Sequence, residues 1–301
     1  MTDVTPDVTP DVTIVVATRD RADELRRSLR HHTAPVIVAD NASADGTAAV
    51  AEAAGATVLR LPRNRGAAAR NAGAQRAGTR YVAFADDDSW WAPGSLERAV
   101  RILDAHPRTA LLAARVLVGE DERPDPVSEQ MAGSPLGRPE GLPGPAVLGF
   151  LACSAIVRRD AFLAAGGFSD VLHFAGEEEL LALDLAAAGW GLAHVPDLVV
   201  HHHPSAAGRD PAGRRRREVR NRLLTAWLRR PLAEVARTAA SALASRDGRA
   251  GLAAACRALP SVARARRPVP PARGGGRGAP PRGEGAGRGR GGGGRARGGG
   301  P

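Results

Sequence analysis

The amino-acid sequence predicts an α/β protein with a mixed, mostly parallel sheet flanked by helices. Short apolar and β-branched segments alternate with helical segments through the first hundred residues. Strands of four to six residues that are apolar on both faces are typical of parallel sheets covered by crossover helices. With 301 residues and 43% hydrophobic content, the chain can bury a sizeable core.

Each element of the first half follows from a local pattern. Apolar, β-branched runs predict strands, and segments with a helical apolar period predict helices. Asp20 can cap the first helix, because its carboxylate can accept a hydrogen bond from a free backbone N–H. The predicted strands are 12–17, 36–39, 57–61, 81–85 and 110–118, and the predicted helices are 21–31, 47–54, 66–77 and 93–105.

The second half is predicted to be less regular. Residues 119–146 are rich in Pro, Gly and charge and predict a long surface loop, a common location of substrate specificity. A helix over 213–245 has an apolar stripe that contains Trp227, with Arg on the other face. The remaining predicted elements are strands 147–157 and 191–200, the second bent at Pro196, and helices 159–165 and 177–188.

Composition divides the chain into four regions. A Pro-containing repeat over 1–11 predicts a disordered leader, 12–210 an α/β domain, 211–263 a helical extension, and 264–301 a disordered tail rich in Gly, Arg and Pro. The tail holds ten Arg and one Glu, which accounts for most of the net charge of +10. Because it has no Phe or Tyr for base stacking, specific nucleic-acid binding is not expected.

The sequence predicts a cytoplasmic location. Only two cysteines are present, without metal-ligand spacing, and the N-terminus lacks the pattern of a secretory signal. The longest apolar run is about a dozen residues, short of the roughly 20 that a membrane span needs. The Arg-rich C-terminal region leaves open a peripheral contact with the inner face of an anionic membrane, although packing of its apolar stripe on the folded domain explains the same pattern.

Three consecutive aspartates, Asp86–Asp88, directly follow the predicted strand 81–85. Asp40 follows another strand, and the carboxyl ends of parallel strands meet at the edge of the sheet where ligands bind. Adjacent carboxylates repel each other, so a divalent cation is their natural partner. Mn²⁺ or Mg²⁺ here would bridge the aspartates to a substrate diphosphate and neutralise charge on the leaving group. A solvated acidic turn is the alternative.

Several further motifs accompany the aspartates in a characteristic order. In sequence they are 12–19, Asp40-Asn41-Ala42-Ser43-Ala44-Asp45-Gly46-Thr47, Asn64-Arg65-Gly66, Arg70-Asn71, Asp86-Asp87-Asp88 with Pro93, Gly166-Gly167-Phe168, Gly176-Glu177-Glu178-Glu179, Gly189-Trp190, Val195-Pro196 and His201-His202. This succession, over roughly residues 12–203, resembles glycosyltransferase family 2. The resemblance implies a GT-A-type nucleotide-diphospho-sugar transferase fold. It also implies transfer of a hexosyl unit from a nucleotide sugar to a hydroxyl of a glycan or lipid-linked acceptor, by metal-assisted single displacement with inversion.

The resemblance implies two groups of binding residues at the strand ends. Asp87 would lie near the ribose, and Asp88 would be the direct metal ligand, completed by His202. Asp40 has a second interpretation as a turn-forming residue, and Arg70 as a surface residue of a helix. The implied nucleotide-sugar contacts are Thr18, Asp40, Arg70, Asp86 and Asp87, and the implied metal ligands are Asp88 and His202.

The acidic run 177–179 begins a predicted helix and, by the resemblance, supplies the catalytic base. Glu178 stands where the family usually has Asp, with Glu177 beside it, and Leu180 replaces a later acid of the family pattern. A general base must reach hydrogen-bond distance of the acceptor hydroxyl. The alternative is that these glutamates only favour the positive end of the helix dipole.

Two other functions stay open. The Leu180 replacement suggests a non-catalytic relative that binds a nucleotide sugar or a glycan. A sugar nucleotidyltransferase would also use acidic metal ligands, but it needs a Gly-rich, Arg-containing loop after its first strand. That position reads Ala17-Thr18-Arg19-Asp20 here, which disfavours the nucleotidyltransferase.

Two further pairs of side chains are candidates for the cleft. Trp90 and Trp91 follow the aspartates, where one ring could stack on a sugar or base, and at least one ring is expected in the core. Arg220 and Asn221, on the predicted helix after the histidines, resemble a family element near the mouth of the cleft.

Overall fold

The computed structural model of the chain describes residues 11–205 and 210–269. The predicted leader up to residue 10 and the predicted tail beyond residue 269 lie outside the described residues. The strands are β1 (Val12–Thr18), β2 (Val36–Asp40), β3 (Thr57–Arg60), β4 (Tyr81–Ala85), β5 (Ser89–Trp91), β6 (Thr109–Val118), β7 (Arg123–Pro124), β8 (Ala155–Arg158) and β9 (Gly191–His202). The helices are α1 (Ala22–Leu29), α2 (Thr47–Ala53), α3 (Ala69–Arg76), α4 (Ser95–Ala105), α5 (Pro126–Ala132), α6 (Arg159–Ala164), α7 (Glu177–Ala187), α8 (Pro211–Arg229), α9 (Leu232–Ala242) and α10 (Arg246–Val262).

One mixed sheet runs through the described residues in the order β3-β2-β1-β4-β8-β6-β9-β5, with β7 paired to β6. The β1–β2, β1–β4, β2–β3 and β6–β9 pairs are parallel, and the others are antiparallel. Every residue of β4 is buried, as expected for a strand covered on both faces. The strands and helices predicted for the first half are confirmed, with ends that differ by up to three residues.

The acidic triplet connects the centre of the sheet to its edge. β4 lies in the middle of the sheet, and the chain leaves it through residues 86–88 to form β5, which pairs with β9 at the edge. The antiparallel register sets Ser89 opposite His202. This pairing brings the end of β9 to the triplet, although the two segments are far apart in sequence.

The prediction of a strand over 147–157 is wrong for most of this segment. Only Ala155–Arg158 forms a strand, and a tight turn over Ala152–Ser154 precedes it. The N–H and the hydroxyl of Ser154 both donate to the carbonyl of Leu151, at 3.0 and 3.1 Å, and close this turn. Most apolar residues of the segment are buried, and apolar composition alone does not distinguish a strand from buried irregular chain.

Two other predicted segments contain more elements than expected. The predicted loop 119–146 includes β7 and α5, and Asp125 caps α5 by accepting a 2.8 Å bond from the N–H of Val127. The predicted helix 213–245 is divided at Pro231, because proline fits only the first turn of a helix. A further helix, α10, follows it. The predicted bend of β9 at Pro196 is confirmed by a shift in the β6–β9 register.

Asp20 does not cap α1, contrary to the prediction. Its φ is 53°, and its carboxylate accepts a bond from the N–H of Ala44 at 2.7 Å. The N–H of Ala22, at the start of α1, instead donates to Asp45 at 3.3 Å. These contacts tie the turn after β1 to the turn after β2, at the carboxyl edge of the sheet.

The last three helices pack on one another and on α7. Leu223 and Leu228 in the apolar stripe of α8 are buried, and Trp227 packs against the same cluster. The cluster includes Leu180 of α7, so it joins the helical extension to the α/β domain. The stripe therefore packs internally, as one of its two interpretations predicted. Among the described residues, no helix has the length and apolar character to cross a bilayer.

Candidate functional site

Three strands bring polar side chains to one end of the sheet. Parallel pairing of β1 with β2 sets Thr18 beside Asp40, and Asp86 follows the end of β4. The Asp40 side chain is buried and accepts the N–H of Ser43 at 3.0 Å, so it also shapes the turn after β2. The predicted strand-end positions of these residues are confirmed, whereas their contacts with a nucleotide sugar stay predictions.

Asp87 lies against the end of β1. Its two carboxylate oxygens accept hydrogen bonds from Thr18 Oγ1 at 2.8 Å and from Arg21 Nε at 3.2 Å. Burial and the neighbouring charge of Asp88 together raise the pKa of Asp87 to about 6, although the bond from Thr18 opposes them. Thr18 of β1 therefore fixes the position of the Asp87 side chain, while burial makes its charged form less stable.

Asp88 pairs with His202, as the β5–β9 register allows. The Nε2 atom of His202 is 3.3 Å from one oxygen of Asp88, and Nη2 of Arg21 is 3.2 Å from the other. Burial would raise the pKa of Asp88, but the bond from His202 and the charge of Arg21 hold this pKa below its ordinary value. Burial would likewise lower the pKa of His202, yet the contact with Asp88 raises it.

Asp86, Asp88 and His202 form the candidate metal site within the described residues. One ligand atom from each residue lies within 4.8 Å of the other two. Carboxylate oxygens with an imidazole nitrogen suit Mn²⁺, and the oxygens also suit Mg²⁺. The donor set therefore fits the divalent metal that the sequence predicts, provided that coordination replaces the direct contact between Asp88 and His202.

Arg70 links this acidic group to a second one. Its buried guanidinium forms an ion pair with Asp86 and lies 5.7 Å from the ring centre of Phe168. Its charge also acts on Glu177 and Glu178. Within the described part of the chain, Nε of Arg70 has no hydrogen-bond partner. The side chain faces Asp86, and its predicted contact with the nucleotide stays a prediction.

Glu177 and Glu178, the second acidic group, begin α7. Glu177 is only 2% exposed, and its Oε2 has no hydrogen-bond partner among the described side chains and backbone. Burial and the charge of Glu178 raise the pKa of Glu177 to about 8, against the opposing charge of Arg70. Burial also raises the pKa of Glu178. Glu177 therefore holds its proton at neutral pH, whereas Asp88 is charged.

A side chain from α8 holds the loop before α7. Ala175 and Gly176 have φ of 72° and 90°, and a left-handed conformation costs energy at a residue other than glycine. Asn221 is fully buried, and Arg220 beside it donates to the same loop at 3.1 Å. The Nδ2 atom of Asn221 lies at hydrogen-bond distance from three carbonyls, those of Leu172, Phe174 and Ala175, at 2.9, 2.9 and 2.7 Å.

Arg21 is a site residue that the sequence pattern did not identify, because it was predicted only to begin a helix. Its guanidinium contacts Asp87 and Asp88, and its third nitrogen lies 3.3 Å from Glu24. It therefore neutralises part of the charge of the triplet. The available signal was its place just after β1, at the same edge of the sheet as Asp40.

A cavity of about 270 Å³ opens beside Asp88, between α1 and Trp90. The ring of Trp90 stacks on His31 with centroids 4.4 Å apart. Trp91 is buried and donates to the carbonyl of Phe84 at 3.1 Å. Trp91 is thus the core residue expected of the pair, and Trp90 lines the cavity.

The order of these residues and their meeting at one sheet edge agree with a known family. The model of Glycosyl transferase family 2 matches residues 13–164, which is more than half of the chain. The chain belongs to glycosyltransferase family 2. The resemblance predicted from the motifs is confirmed.

Two relatives from Mycobacterium tuberculosis are similar to this member of the family. A pre-mycofactocin glycosyltransferase is 34% identical over 203 residues, which cover 64% of this chain and 42% of the relative. The chain therefore spans less than half the length of that relative. An N-acetylglucosaminyl-diphospho-decaprenol L-rhamnosyltransferase is 28% identical over 254 residues, which cover 70% of this chain and 80% of the relative.

A solved structure confirms the fold. The mannosyltransferase PcManGT from Pyrobaculum calidifontis, in complex with GDP-Man and Mn²⁺, matches with a TM-score of 0.59 and 22% identity. The match covers 87% of this chain and 78% of PcManGT. The predicted GT-A-type α/β fold is therefore confirmed. At 22% identity the comparison supports the fold and not a shared activity.

Proposed function

We propose that this family 2 member transfers a hexosyl unit from a nucleotide sugar to an acceptor hydroxyl, by single displacement with inversion at the anomeric carbon. The observation that carries the proposal is the presence of two different acidic groups near Arg70. One group, with Asp88 and His202, offers ligands suited to a divalent ion. The other contains Glu178, whose raised pKa suits it to proton transfer.

The donor would bind across the carboxyl ends of β1, β2 and β4. We assign the nucleoside to Thr18, Asp40 and Asp87, and the diphosphate to the surroundings of Asp88. Mn²⁺ or Mg²⁺ held by Asp86, Asp88 and His202 would neutralise charge on the departing nucleoside diphosphate. Through their ion pair, Arg70 would hold the Asp86 carboxylate in place.

Glu178 would accept the proton of the acceptor hydroxyl while the acceptor oxygen bonds to the anomeric carbon and the bond to the nucleoside diphosphate breaks. A base with a pKa near the working pH is effective, and burial moves the pKa of Glu178 in that direction. We assign Glu177 a supporting role, because it is only 2% exposed and so less open to an acceptor than the partly exposed Glu178. Leu180 packs against α8, so its replacement of an acid alters packing there.

We propose a glycan or a lipid-linked glycan as the acceptor. The name of one relative, which describes N-acetylglucosaminyl-diphospho-decaprenol as the acceptor, supports the lipid-linked class. We assign residues 12–210 to the catalytic domain and 211–263 to an extension that supports it through Asn221. Two free cysteines, Cys153 and Cys256, favour a reducing, cytoplasmic setting.

The test is turnover of a panel of UDP-, GDP- and dTDP-sugars by the full chain, with Mn²⁺, Mg²⁺ or EDTA. We expect metal-dependent release of a nucleoside diphosphate from one donor class, by slow hydrolysis without an acceptor and faster with one. Asp88→Asn should abolish this release. Asp23→Asn, at a 77% exposed side chain on α1, is the matched control and should keep it.

Unchanged turnover in Asp88→Asn would contradict the proposal. Metal-dependent binding of a donor without any turnover would favour the non-catalytic binding relative. Formation of a nucleoside triphosphate from donor and pyrophosphate would favour a sugar nucleotidyltransferase.

A further inference from the structure

Helix α9 lies outermost on the C-terminal helices and leaves one face uncovered. Of its 11 residues, only Ala242 is buried. Leu232 at its first position is 63% exposed, and Leu243 directly after its end is 54% exposed. Among the described residues, these are the two most exposed large apolar side chains.

The exposed apolar residues of α9 lie on one side of the helix. At 3.6 residues per turn they fall within an arc of about 100°, bordered by the exposed Arg237. Ala239 and Ala242 lie outside this arc, on the side that packs against the cluster of α8 and α10. The residues of the arc, which we call the α9 face, are Leu232, Ala233, Ala236, Ala240 and Leu243.

Positive charge is concentrated in the helical extension that carries this face. Residues 211–269 contain 15 Arg and three acidic residues, whereas residues 1–210 contain 20 Arg and 28 acidic residues. Arg249 reaches the end of α9, where its guanidinium donates to the carbonyl of Leu243 at 2.9 Å. Arg237 lies on α9 itself. The charge of the chain is therefore unevenly distributed, because a basic helical extension is attached to an acidic α/β domain.

We propose that the α9 face and its surrounding arginines dock on an anionic lipid bilayer. An amphipathic helix with apolar residues on one face and basic residues beside it is suited to the membrane interface. Each basic residue near an anionic surface strengthens such binding, by roughly five-fold. The apolar stripe of α8 cannot serve this purpose, because it is already buried against α10.

Other occupants fit the α9 face less well. A second copy of the basic extension would be repelled by like charge, and five residues make a patch far smaller than the roughly 20 to 30 residues per side of a stable dimer. Residues 270–301 contain no Leu, Ile, Val, Met or aromatic residue that could cover the apolar arc. An RNA would engage the arginines but would leave the leucines exposed.

The test is flotation of the full chain with vesicles of phosphatidylcholine alone or with about one third phosphatidylglycerol. The variant L232S/L243S removes the apolar side chains without changing the charge. Its matched control is Leu136→Ser, because Leu136 is 48% exposed and lies outside the helical extension. We expect binding only to the anionic vesicles, at least a roughly ten-fold loss in L232S/L243S, and no loss in Leu136→Ser.

Binding of L232S/L243S at the wild-type level would overturn the proposal, because the arginines alone would then explain it. Equal binding to neutral vesicles would also overturn it. A loss of poly(U) binding in L232S/L243S, measured in parallel, would assign the face to RNA. If light scattering showed a dimer for the wild type and a monomer for L232S/L243S, the α9 face would instead be the contact with a second copy of the chain. Donor hydrolysis in solution should be unchanged in this variant, so failure here is distinct from failure of the proposed transfer.

Discussion

The two acidic groups near Arg70 differ in how their charge is compensated. Asp87 and Asp88 lie in a polar turn where Arg21 and His202 supply the opposing charge and hydrogen bonds. Glu177 and Glu178 begin a helix whose next turns are apolar and buried, and Arg70 is the cation that acts on both. Both groups are rich in carboxylates, but the surroundings of Asp88 favour its charged form, whereas those of Glu177 and Glu178 favour the protonated form.

This difference separates two tasks that a sugar transfer requires. A carboxylate that stays charged, as Asp88 does, can bind a cation. A carboxyl whose pKa is raised by burial, as in Glu177 and Glu178, is better suited to proton transfer, because its pKa moves toward the working pH. The environment of each acid therefore indicates its role more directly than the residue type does.

The largest expected effect is the loss of transfer rate when Glu178, in the acidic group at the start of α7, is changed. Glu178→Gln should reduce the rate of sugar transfer by about 10² to 10⁴, because a general base contributes to this extent. The control is Glu179→Gln in the same helical turn, where Glu179 is 40% exposed and pairs with Arg230. Steady-state release of the nucleoside diphosphate measures both. Equal losses in the two variants would remove the distinction between Glu178 and its neighbour.

The next largest effect is the loss of metal affinity when a ligand of the candidate metal site is changed. His202→Gln should weaken Mn²⁺ binding by about ten-fold or more, because it removes an imidazole ligand. The control is His201→Gln, since the His201 ring contacts Trp90 on the other face of β9. Mn²⁺ titration followed by electron paramagnetic resonance measures the affinity. Weakening by both variants alike would mean that neither histidine is a specific ligand.

A smaller effect should come from the loop that positions the glutamates. Asn221→Ala removes the buried amide that lies at hydrogen-bond distance from three carbonyls of the loop, so we expect a stability loss of about 1 to 3 kcal/mol and a lower kcat, with KM for the donor unchanged. Thr225→Ala, one turn later on α8 and also buried, should lower stability without changing kcat. Denaturant unfolding and steady-state kinetics separate the two. A fall in kcat that is equal in both variants would indicate a general structural effect.

The smallest effect is the pH dependence that Glu177 gives to stability. The pKa of Glu177 is about 8 in the folded protein, whereas its ordinary value is 4.5. Between these pH values the folded state therefore binds more protons than the unfolded state. Because of this difference, the folded protein loses stability as the pH rises from 4.5 to about 8. Glu177→Gln should therefore raise Tm relative to wild type more at high pH than at low pH, by roughly 2 to 4 °C per kcal/mol. Thermal melts near both limits, with the exposed Glu140→Gln as control, measure the shift. An equal shift at both limits would mean that Glu177 does not hold the proton.

The parallel half of the sheet could be predicted because burial on both faces leaves unbroken apolar runs. The segment 147–157 has the same composition but lies mostly in irregular, buried chain, so composition alone predicted too long a strand. The C-terminal helices were predicted only in part. Pro231 marks the break between α8 and α9, whereas α10 lies beyond the predicted helix, although Ser245 caps its start.

The acidic residues of the site could be predicted because each directly follows a strand or begins a helix. The contacts of their supporting side chains could not, although the family resemblance pointed to Asn221. Arg21 reaches Asp87 and Asp88 through a long, flexible side chain, and its direction is set by the turn after β1. Asn221 acts on carbonyls nearly fifty residues earlier in the chain, a contact created by tertiary packing.

We propose that the acids near Asp88 bind a cation together with the donor, whereas the acids near Glu178 transfer a proton. Calorimetric titration of the nucleoside diphosphate of the active donor, with and without Mn²⁺, tests it directly in wild type, Asp88→Asn and Glu178→Gln. We predict that Asp88→Asn loses the metal-dependent part of the affinity and that Glu178→Gln keeps it. Wild-type affinity in Asp88→Asn, or an equal loss in both variants, would contradict the claim.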